Sequence, residues 1–232
     1  MASRCFQLVQ QPTAAYSPGP VASHAGAKQG KQRDGAATTR RRTGSEDSKT
    51  RAQLIEVTER LMVSEGYAAV TSRRVALEAG VTAPLVHYYF PSLDDLFVAV
   101  LQRRAEQQLT RQARLLAADE PLRALWTFNT DRKSAVFLTE FMGLANHRKS
   151  IRREIAAYAE RFREIELAAI EQAVADGRID LGGFSPEGIL VLLSTSSRGL
   201  VNEEVIGMCA GHEGVHALVE QLLTLAEAKG RP

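Results

Sequence analysis

Helical periodicity runs through most of this 232-residue chain and limits its fold more than any other feature. From Thr50 onward, apolar side chains recur at intervals of three and four positions, as they do on the buried face of an α-helix. No stretch alternates apolar and polar residues for long enough to predict a strand. The pattern therefore predicts an all-α fold of about eight or nine helices. Its longest stripe consists of Ile151, Ile155, Tyr158, Phe162, Ile165 and Ala169.

Capping and helix-breaking residues divide this helical region into segments. The sequence matches the capping box, in which two residues three positions apart cap each other's backbone, at Thr50–Gln53 and at Ser92–Asp95. A glycine is suited to end a helix, and a proline is suited to its first turn. Such residues predict further helix boundaries at Gly66, Pro121, Gly177 and Pro186.

The charge of the chain is unevenly distributed. Residues 1–50 carry eight positive and three negative side chains, whereas residues 51–232 carry 21 positive and 24 negative ones. Large apolar residues are rare in the first segment, so it cannot bury enough surface to offset the entropy of ordering. We expect residues 1–48 to be a disordered basic tail. Such a tail is suited to neutralise DNA phosphates, although a merely solubilising tail has the same composition.

The composition argues against several classes of protein. Cys5 and Cys209 are the two cysteines, too few for a disulfide scaffold or a four-cysteine zinc site. No apolar run approaches the ~18 residues of a membrane span. The sequence also lacks the basic start and apolar core that are typical of a signal peptide. We therefore expect a cytoplasmic protein that has no membrane partner.

The segment Thr71–Asp95 has the residue spacing of a helix-turn-helix. Ala76 is small enough for a second helix to pack across it, and Gly80 supplies the positive φ of a tight turn. The second helix, about Thr82–Tyr89, carries Pro84 in its first turn. Its N-terminal end would face base edges in the major groove of DNA. The small core between the helices is predicted from Val75, Val81, Val86 and Tyr89.

With this motif, the sequence resembles the tetracycline-repressor (TetR) family of transcriptional regulators. The resemblance covers about Thr50–Val100 and lies in Gly66-Tyr67, Thr71-Ser72-Arg73-Arg74-Val75-Ala76, Glu78-Ala79-Gly80-Val81, Tyr89-Phe90-Pro91-Ser92 and Asp94-Asp95-Leu96. It implies a DNA-binding head at residues 49–93 and a helical body at residues 94–232 that binds a small-molecule effector and forms a homodimer. The implied function is a ligand-responsive repressor that an effector releases from a pseudo-palindromic operator in double-stranded DNA.

The resemblance also implies which residues contact DNA. Thr71 and Ser72 match positions that contact phosphate at a helix N-terminus. Arg73 matches a position that reaches a base, most plausibly guanine. The base-facing start of the second helix matches Thr82, Ala83, Pro84 and Leu85. Contacts with the DNA backbone match His87 and Tyr88. An arm that enters the minor groove matches Arg40, Arg41 and Arg42.

Two positions depart from the family pattern. Leu93 stands where a lysine usually contacts phosphate, and Ala83 stands at a recognition position that is often polar. Residues 51–93 hold four arginines and four glutamates, so the head alone has no net charge. Base recognition would then depend on thymine methyl groups and on Arg73, and the basic tail would supply much of the non-specific affinity.

For the effector, the resemblance implies a cavity among the middle helices, lined by apolar side chains and a few polar groups. Glu140 is one candidate polar group, and Ser194–Arg198 is a polar patch in an otherwise apolar helix. The helices Pro186–Gly207 and His212–Lys229 have apolar faces wide enough for a dimer interface. Candidate effector residues, which a plain hydrophobic core would also explain, are Trp126, Phe137, Phe141, Met142, Asn146, His147, Tyr158 and Phe162.

Two other functions are compatible with the sequence. The first is a zinc hydrolase, because His212-Glu213-Gly214-Val215-His216 matches the H-E-x-x-H pattern with Glu213 as general base. Against it, Gly214 weakens the helix that would hold both histidines. The second is an architectural DNA-binding dimer that has no effector. The favoured reading involves no catalysis, no metal and no cofactor.

Overall fold

The computed structural model describes the backbone of residues 37–229 and the side chains of residues 49–227. Every regular element in this part of the chain is helical, so the predicted all-α fold is confirmed. All contacts below lie within the compact unit of residues 41–232. The elements are α1 Ala37–Glu65, a short 3-10 helix Tyr67–Ala69, α2 Ser72–Ala79, α3 Ala83–Tyr89, α4 Leu93–Leu116, α5 Pro121–Asn129, α6 Arg132–Ala145, α7 Lys149–Ala175, α8 Pro186–Val205 and α9 His212–Lys229.

The first helix begins earlier than the sequence predicted. α1 starts at Ala37, so Thr50 lies inside the helix and cannot be its N-cap. The predicted helix start at Thr50–Gln53 is therefore wrong, because no proline interrupts α1 and its backbone continues through this motif. Gln53 instead donates a hydrogen bond from Nε2 to the carbonyl oxygen of Ala79 at 3.1 Å.

The helical start of α1 also bears on the predicted tail. Residues 37–48 are helical in their backbone, although they were expected to belong to a disordered segment. The rest of that predicted tail, residues 1–36, lies outside the part that the structure describes. The same is true of three side chains predicted to contact DNA, those of Arg40, Arg41 and Arg42.

The other predicted helix boundaries are confirmed. Ser92 Oγ accepts a hydrogen bond from the Asp95 N–H at 3.2 Å, and Asp95 Oδ2 accepts one from the Ser92 N–H at 2.9 Å. This capping box begins α4 directly after α3. A proline occupies the first turn of both α5 and α8, and a glycine with positive φ follows both α1 and α7. These residues are Pro121, Pro186, Gly66 and Gly177.

Two hydrophobic clusters form the interior. The first joins α1, α2 and α3 to the N-terminal part of α4, to α6 and to the start of α7. The second joins the end of α4 to α5, the C-terminal part of α7, α8 and α9. α4 and α7 contribute to both clusters and pack against each other. In the part of the chain that is described, no helix is both long and apolar enough to cross a membrane.

Gly80 offers a test of the turn between α2 and α3. Its φ is 66°, and no atom lies within 4 Å of an added Cβ, so a side chain here is opposed by backbone conformation alone. We expect Gly80→Ala to lower the free energy of unfolding by about 1–2 kcal/mol. Gly80→Asn should cost less, because asparagine tolerates the left-handed region. Urea unfolding measures both, and equal losses for the two variants would contradict this account.

Candidate nucleic-acid interface

α2 and α3 form the helix-turn-helix that the sequence predicted. Thr71 caps α2, since its Oγ1 accepts a hydrogen bond from the Arg74 N–H at 3.1 Å. Gly80 adopts the left-handed conformation after α2, and the Val81 N–H donates to the Ala76 carbonyl oxygen at 2.9 Å. The two helices are fixed on the first hydrophobic cluster by the buried side chains of Val75, Ala76, Ala79 and Val86.

Most side chains predicted to contact DNA from this motif are exposed. Thr82 is the N-cap residue of α3, although its side chain makes no capping hydrogen bond. Ala83 packs against the first cluster and Leu85 is half-buried. The apolar surface expected at the start of α3 therefore consists mainly of Pro84. Apart from the half-buried Ser72, the remaining predicted contacts are exposed, namely Thr71, Arg73, Thr82, Pro84, His87 and Tyr88.

The two arginines of α2 have different surroundings. Arg74 Nη2 lies 3.1 Å from Glu65 Oε1 and 3.3 Å from Glu78 Oε1. Arg60 pairs with the other carboxylate oxygen of Glu78 at 3.0 Å. Arg73 is exposed and forms no ion pair with any residue whose side chain is described. Arg73 is therefore the α2 cation that remains available to a ligand.

Polar contacts connect the motif to the helices behind it. Glu140 Oε2, on α6, accepts a hydrogen bond from the Tyr67 N–H just after α1, at 2.7 Å. At the start of α4, Asp94 forms an ion pair with Arg148. Ser150 Oγ donates to the second oxygen of Asp94 at 3.3 Å. Glu140, a candidate effector contact in the sequence, thus holds the end of α1 instead.

The structure does not bring the predicted effector residues together at one place. Phe137 and Phe141 lie in the first hydrophobic cluster, whereas Trp126 lies in the second. Three further candidates, at the end of α6 and just after it, have exposed side chains, because adjacent helix positions lie on different faces. These exposed residues are Met142, Asn146 and His147.

The two candidates on α7 have contacts with neighbouring helices. The Tyr158 hydroxyl donates to Glu106 Oε1, on α4, at 3.0 Å. The Phe162 ring lies 6.3 Å from the Phe128 ring of α5, measured between centroids. Phe162 stands four positions before Glu166 on the same helix.

The two histidines of the H-E-x-x-H pattern have separate partners. His212 Nε2 lies 2.8 Å from Glu203 Oε2, and the His216 ring packs edge-on against Trp126 at 5.7 Å. Among the side chains that the structure describes, no three or more His, Cys, Asp or Glu are arranged to hold a metal ion. An open cleft of about 640 Å³ lies beside them, lined by Arg132, Glu204, Cys209, Gly211, His212, Glu213, Gly214 and His216.

A group of polar side chains is embedded beside the second hydrophobic cluster, and the sequence analysis named only part of it. Gln112 of α4 is fully buried and donates from Nε2 to Glu166 Oε1 of α7 at 2.6 Å. The sequence carried a signal that these two residues face the core. Gln112 stands four positions before Leu116, and Glu166 stands four positions before Ile170, and both Leu116 and Ile170 are core residues. We define the polar layer as Gln112, Arg163, Glu166 and Arg198, which are linked by that hydrogen bond and by electrostatic interactions with Glu166.

Burial shifts the pKa of two charged members of the polar layer. It raises the pKa of Glu166, against the opposing effects of the Gln112 hydrogen bond and of the Arg163 and Arg198 charges. Burial also lowers the pKa of Arg198, and the nearby positive charge of Arg163 lowers it further. The polar layer therefore holds its charges at a cost in free energy.

Comparisons with known proteins agree with this geometry. Residues 54–100 match the family model of bacterial regulatory proteins, tetR family. A comparison with curated proteins gives no match. A TetR regulator from Haloarcula marismortui is 20% identical, with a TM-score of 0.64 over 77% of this chain and 98% of that one. A regulator from Saccharomonospora viridis in complex with choline is 22% identical, with a TM-score of 0.65 over 75% and 94%. Reduced NemR from E. coli is 16% identical, with a TM-score of 0.63 over 75% and 96%.

These solved structures share the fold of this chain, including the helices behind the motif. A helix-turn-helix whose outer surface is exposed, in a segment that matches the tetR family model, is the arrangement of a DNA-binding domain. The family match lies across that motif and the start of α4. Over residues 54–100 the protein is similar to the bacterial regulatory proteins of the tetR family.

The raised pKa of Glu166 predicts a pH-dependent stability. In an unfolded chain a glutamate titrates near ~4.3, and the folded protein keeps the proton to a higher pH. Between those two pKa values the folded state binds more protons, so the free energy of unfolding falls as pH rises through this window. Because Glu166→Gln cannot ionise, its stability relative to the native protein should rise across the window. Urea unfolding from about pH 4 to about pH 8 measures this difference.

Glu106→Gln is the matched control. The Arg161 hydrogen bond, followed by that of Tyr158, lowers the pKa of Glu106. Its ionised form therefore stabilises the fold above the ordinary pKa, and that stability is lost as pH falls. The stability of Glu106→Gln relative to the native protein should change with pH in the opposite direction. The same sign for both variants would show that Glu166 does not have a raised pKa.

Proposed function

We propose that the protein is a homodimeric repressor that binds a pseudo-palindromic operator and releases it when a small molecule binds the helical body. The observation that carries the proposal is the exposed face of α2 and α3, on which Arg73 has no ion-pair partner among the described residues. Contact with chromosomal DNA would place the protein in the cytoplasm. The proposal involves no catalysis.

On DNA, the N-terminal end of α3 would face base edges in the major groove. Thr71 and Ser72, at the start of α2, are suited to hold a phosphate. The Arg73 guanidinium can donate two hydrogen bonds to guanine O6 and N7. The remaining contacts would come from the other exposed side chains of the motif and from the basic arm, namely Thr82, Pro84, His87, Tyr88, Arg40, Arg41 and Arg42.

The last two helices expose apolar side chains that suit a second copy of the chain. Leu218, Leu222 and Leu225 follow one another at helical spacing on α9 and are 55%, 49% and 57% exposed. Val191 and Leu192 are similarly exposed on α8. A two-fold axis would pair α8 and α9 with their copies in a four-helix bundle. The two heads would then face successive major grooves, ~34 Å apart.

The position of α4 supports a response to a ligand. α4 begins directly after the DNA-facing motif and reaches Gln112 of the polar layer roughly 28 Å along its axis. A ligand that binds more tightly to one position of α4 would change the population of head separations. The Saccharomonospora viridis regulator, which has this fold, is in complex with choline. That complex supports a small-molecule effector for the present chain.

The first experiment is sequencing of sheared genomic DNA from the source organism that is retained by the purified full-length protein. The proposal expects enrichment of a pseudo-palindrome upstream of a few genes. Broad retention without a motif would instead favour an architectural DNA-binding dimer. No retention would overturn the proposed function.

Arg73 should be a main source of base recognition. We expect Arg73→Ala to weaken binding to the enriched DNA fragment by about 1–3 kcal/mol, or roughly 5- to 150-fold. Arg114→Ala is the matched control, because Arg114 is an exposed arginine in the last turn of α4, away from the motif. Fluorescence titration measures both affinities. Equal losses would mean that Arg73 contributes only net charge.

The apolar face of α9 should hold the dimer together. Leu218→Glu combined with Leu222→Glu would place two charges in this interface, so the dimer should dissociate. Light scattering on the eluting protein should then give the 25.4 kDa mass of one chain in place of twice that mass. Leu77→Glu is the control, because Leu77 is 72% exposed on α2 and lies outside the proposed interface. A monomeric native protein would contradict the proposal directly.

A further inference from the structure

The corner between α6 and α7 carries a dense run of positive charge. Four of the six residues from 148 to 153 are Arg or Lys, and none of the six is acidic. The acidic residue that follows, Glu154, accepts a hydrogen bond from Gln102 of α4 at 3.2 Å. Residues 51–93, in contrast, hold equal numbers of arginines and glutamates. We define the basic corner as Arg148, Lys149, Arg152 and Arg153.

Two of the four cations hold the basic corner in place. Arg148 forms an ion pair with Asp94 at the start of α4. Arg152 donates from Nε to the Ala145 carbonyl oxygen at 3.1 Å and from Nη2 to that of Asn146 at 3.3 Å. The basic corner is therefore fixed both to α4 and to the end of α6.

The other two cations have no partner in the described part of the chain. Lys149 and Arg153 are exposed and form no hydrogen bond or ion pair with any residue whose side chain is described. They stand four positions apart on α7, so they share one face of that helix. Ile151, which stands between them, is fully buried, so this face points away from the core. Two cations are thus available to a ligand at one place.

Contacts join this region to both ends of the helix-turn-helix. On α6, which ends at the basic corner, Glu140 accepts a hydrogen bond from the N–H of Tyr67, five positions before α2 begins. Asp94, the partner of Arg148, stands five positions after α3 ends. Five residues span at most about 18 Å. The basic corner therefore lies beside the surface that would face DNA.

The start of α4 offers no positive side chain of its own. Its first three residues are Leu93, Asp94 and Asp95, so two carboxylates follow the motif directly. Asp95 is occupied by the capping box, in which it accepts from the Ser92 N–H at 2.9 Å. Arg148 neutralises Asp94, which would otherwise repel a phosphate. Positive charge at this end of the motif therefore comes from outside α4, and the basic corner supplies part of it.

We propose that the basic corner binds the sugar-phosphate backbone of DNA beside the bases that α3 faces, and that Lys149 and Arg153 each neutralise one phosphate. The inference rests on the DNA-binding function proposed above. It adds a contact from the helical body to those of the motif and of the basic arm. Phosphate contacts position a protein on the duplex and carry no sequence information. The basic corner should therefore contribute equally to binding of operator and of unrelated DNA.

The test measures the salt dependence of DNA binding for the full-length protein and for a variant that combines Lys149→Gln with Arg153→Gln. The slope of log K against log salt concentration should be shallower by about 1.8 for each bound chain, since one neutralised phosphate contributes about 0.9. At about 0.1 M salt the variant should bind roughly tenfold or more weakly, on the enriched fragment and on an unrelated duplex alike. Fluorescence titration gives both quantities. An unchanged slope would overturn the proposal and leave an acidic protein surface as the partner that fits this charge.

Arg114→Gln combined with Lys133→Gln is the matched control. Both residues are exposed, and each lies at the end of its helix, α4 or α6, that is remote from the basic corner. The control removes the same charge from the protein, so its slope should stay close to that of the native protein. None of the four substituted side chains has a partner among the described residues, so all three proteins should have the same Tm. Equal losses of slope in the two variants would overturn the proposal.

Ethylation interference locates the contact on the DNA. An ethyl group removes the charge of one phosphate and weakens binding where the protein contacts that phosphate. The native protein should show interference at phosphates beside the base contacts that the Lys149→Gln and Arg153→Gln variant no longer shows. Interference at the phosphates held by the motif itself should persist in both proteins. An identical pattern for the two proteins would overturn the proposal.

The outcomes separate this inference from the proposed function. Retention of an operator together with an unchanged slope in the Lys149→Gln and Arg153→Gln variant contradicts the contact at the basic corner alone. Broad retention without a motif contradicts the operator, and the slope on any duplex still decides the contact, because phosphates are the same in every sequence. If the native protein binds no duplex, both are overturned.

Discussion

The packing of α4 against α7 is the contact on which the rest of the molecule depends. Both helices contribute to the two hydrophobic clusters, so their shared surface joins the DNA-binding motif to the helical body. α4 is fixed at its start by the Ser92–Asp95 capping box, directly behind α3. It meets α7 again near its other end, where Gln112 donates to Glu166. A displacement of α4 at its start would therefore also move its contact with α7 near its other end.

The motif is held by apolar packing and by polar contacts with the helices behind it. Val75, Ala76 and Val86 fix α2 and α3 on the first hydrophobic cluster, which leaves most of their outer faces exposed. Glu140 and Asp94 then tie both ends of this assembly to α6 and to the start of α7. Head and body are therefore joined by directional polar contacts as well as by apolar area. Such contacts have discrete geometries, as the two arrangements of the proposed function would require.

Features that depend on neighbouring residues could be predicted from the sequence, and features that depend on packing could not. Gly80 and the capping box at Ser92 act on their own turn, and each was confirmed. The box at Thr50 failed because a cap acts only where a helix begins, and that point lies elsewhere. The effector candidates were chosen for residue type, whereas helix packing decides which faces meet. Gln112 and Glu166, 54 residues apart, are joined only by that packing.

The ion pairs on the motif have a consequence for its behaviour in salt. Glu65 and Glu78 already neutralise Arg74 and Arg60, so residues 51–93 present few free cations to a polyanion. Binding that releases few counterions changes little with ionic strength. By themselves, then, two such heads would distinguish DNA sequences through shape and short-range contact rather than through long-range attraction. Their hold on a matching site would persist at salt concentrations that remove more basic proteins from DNA.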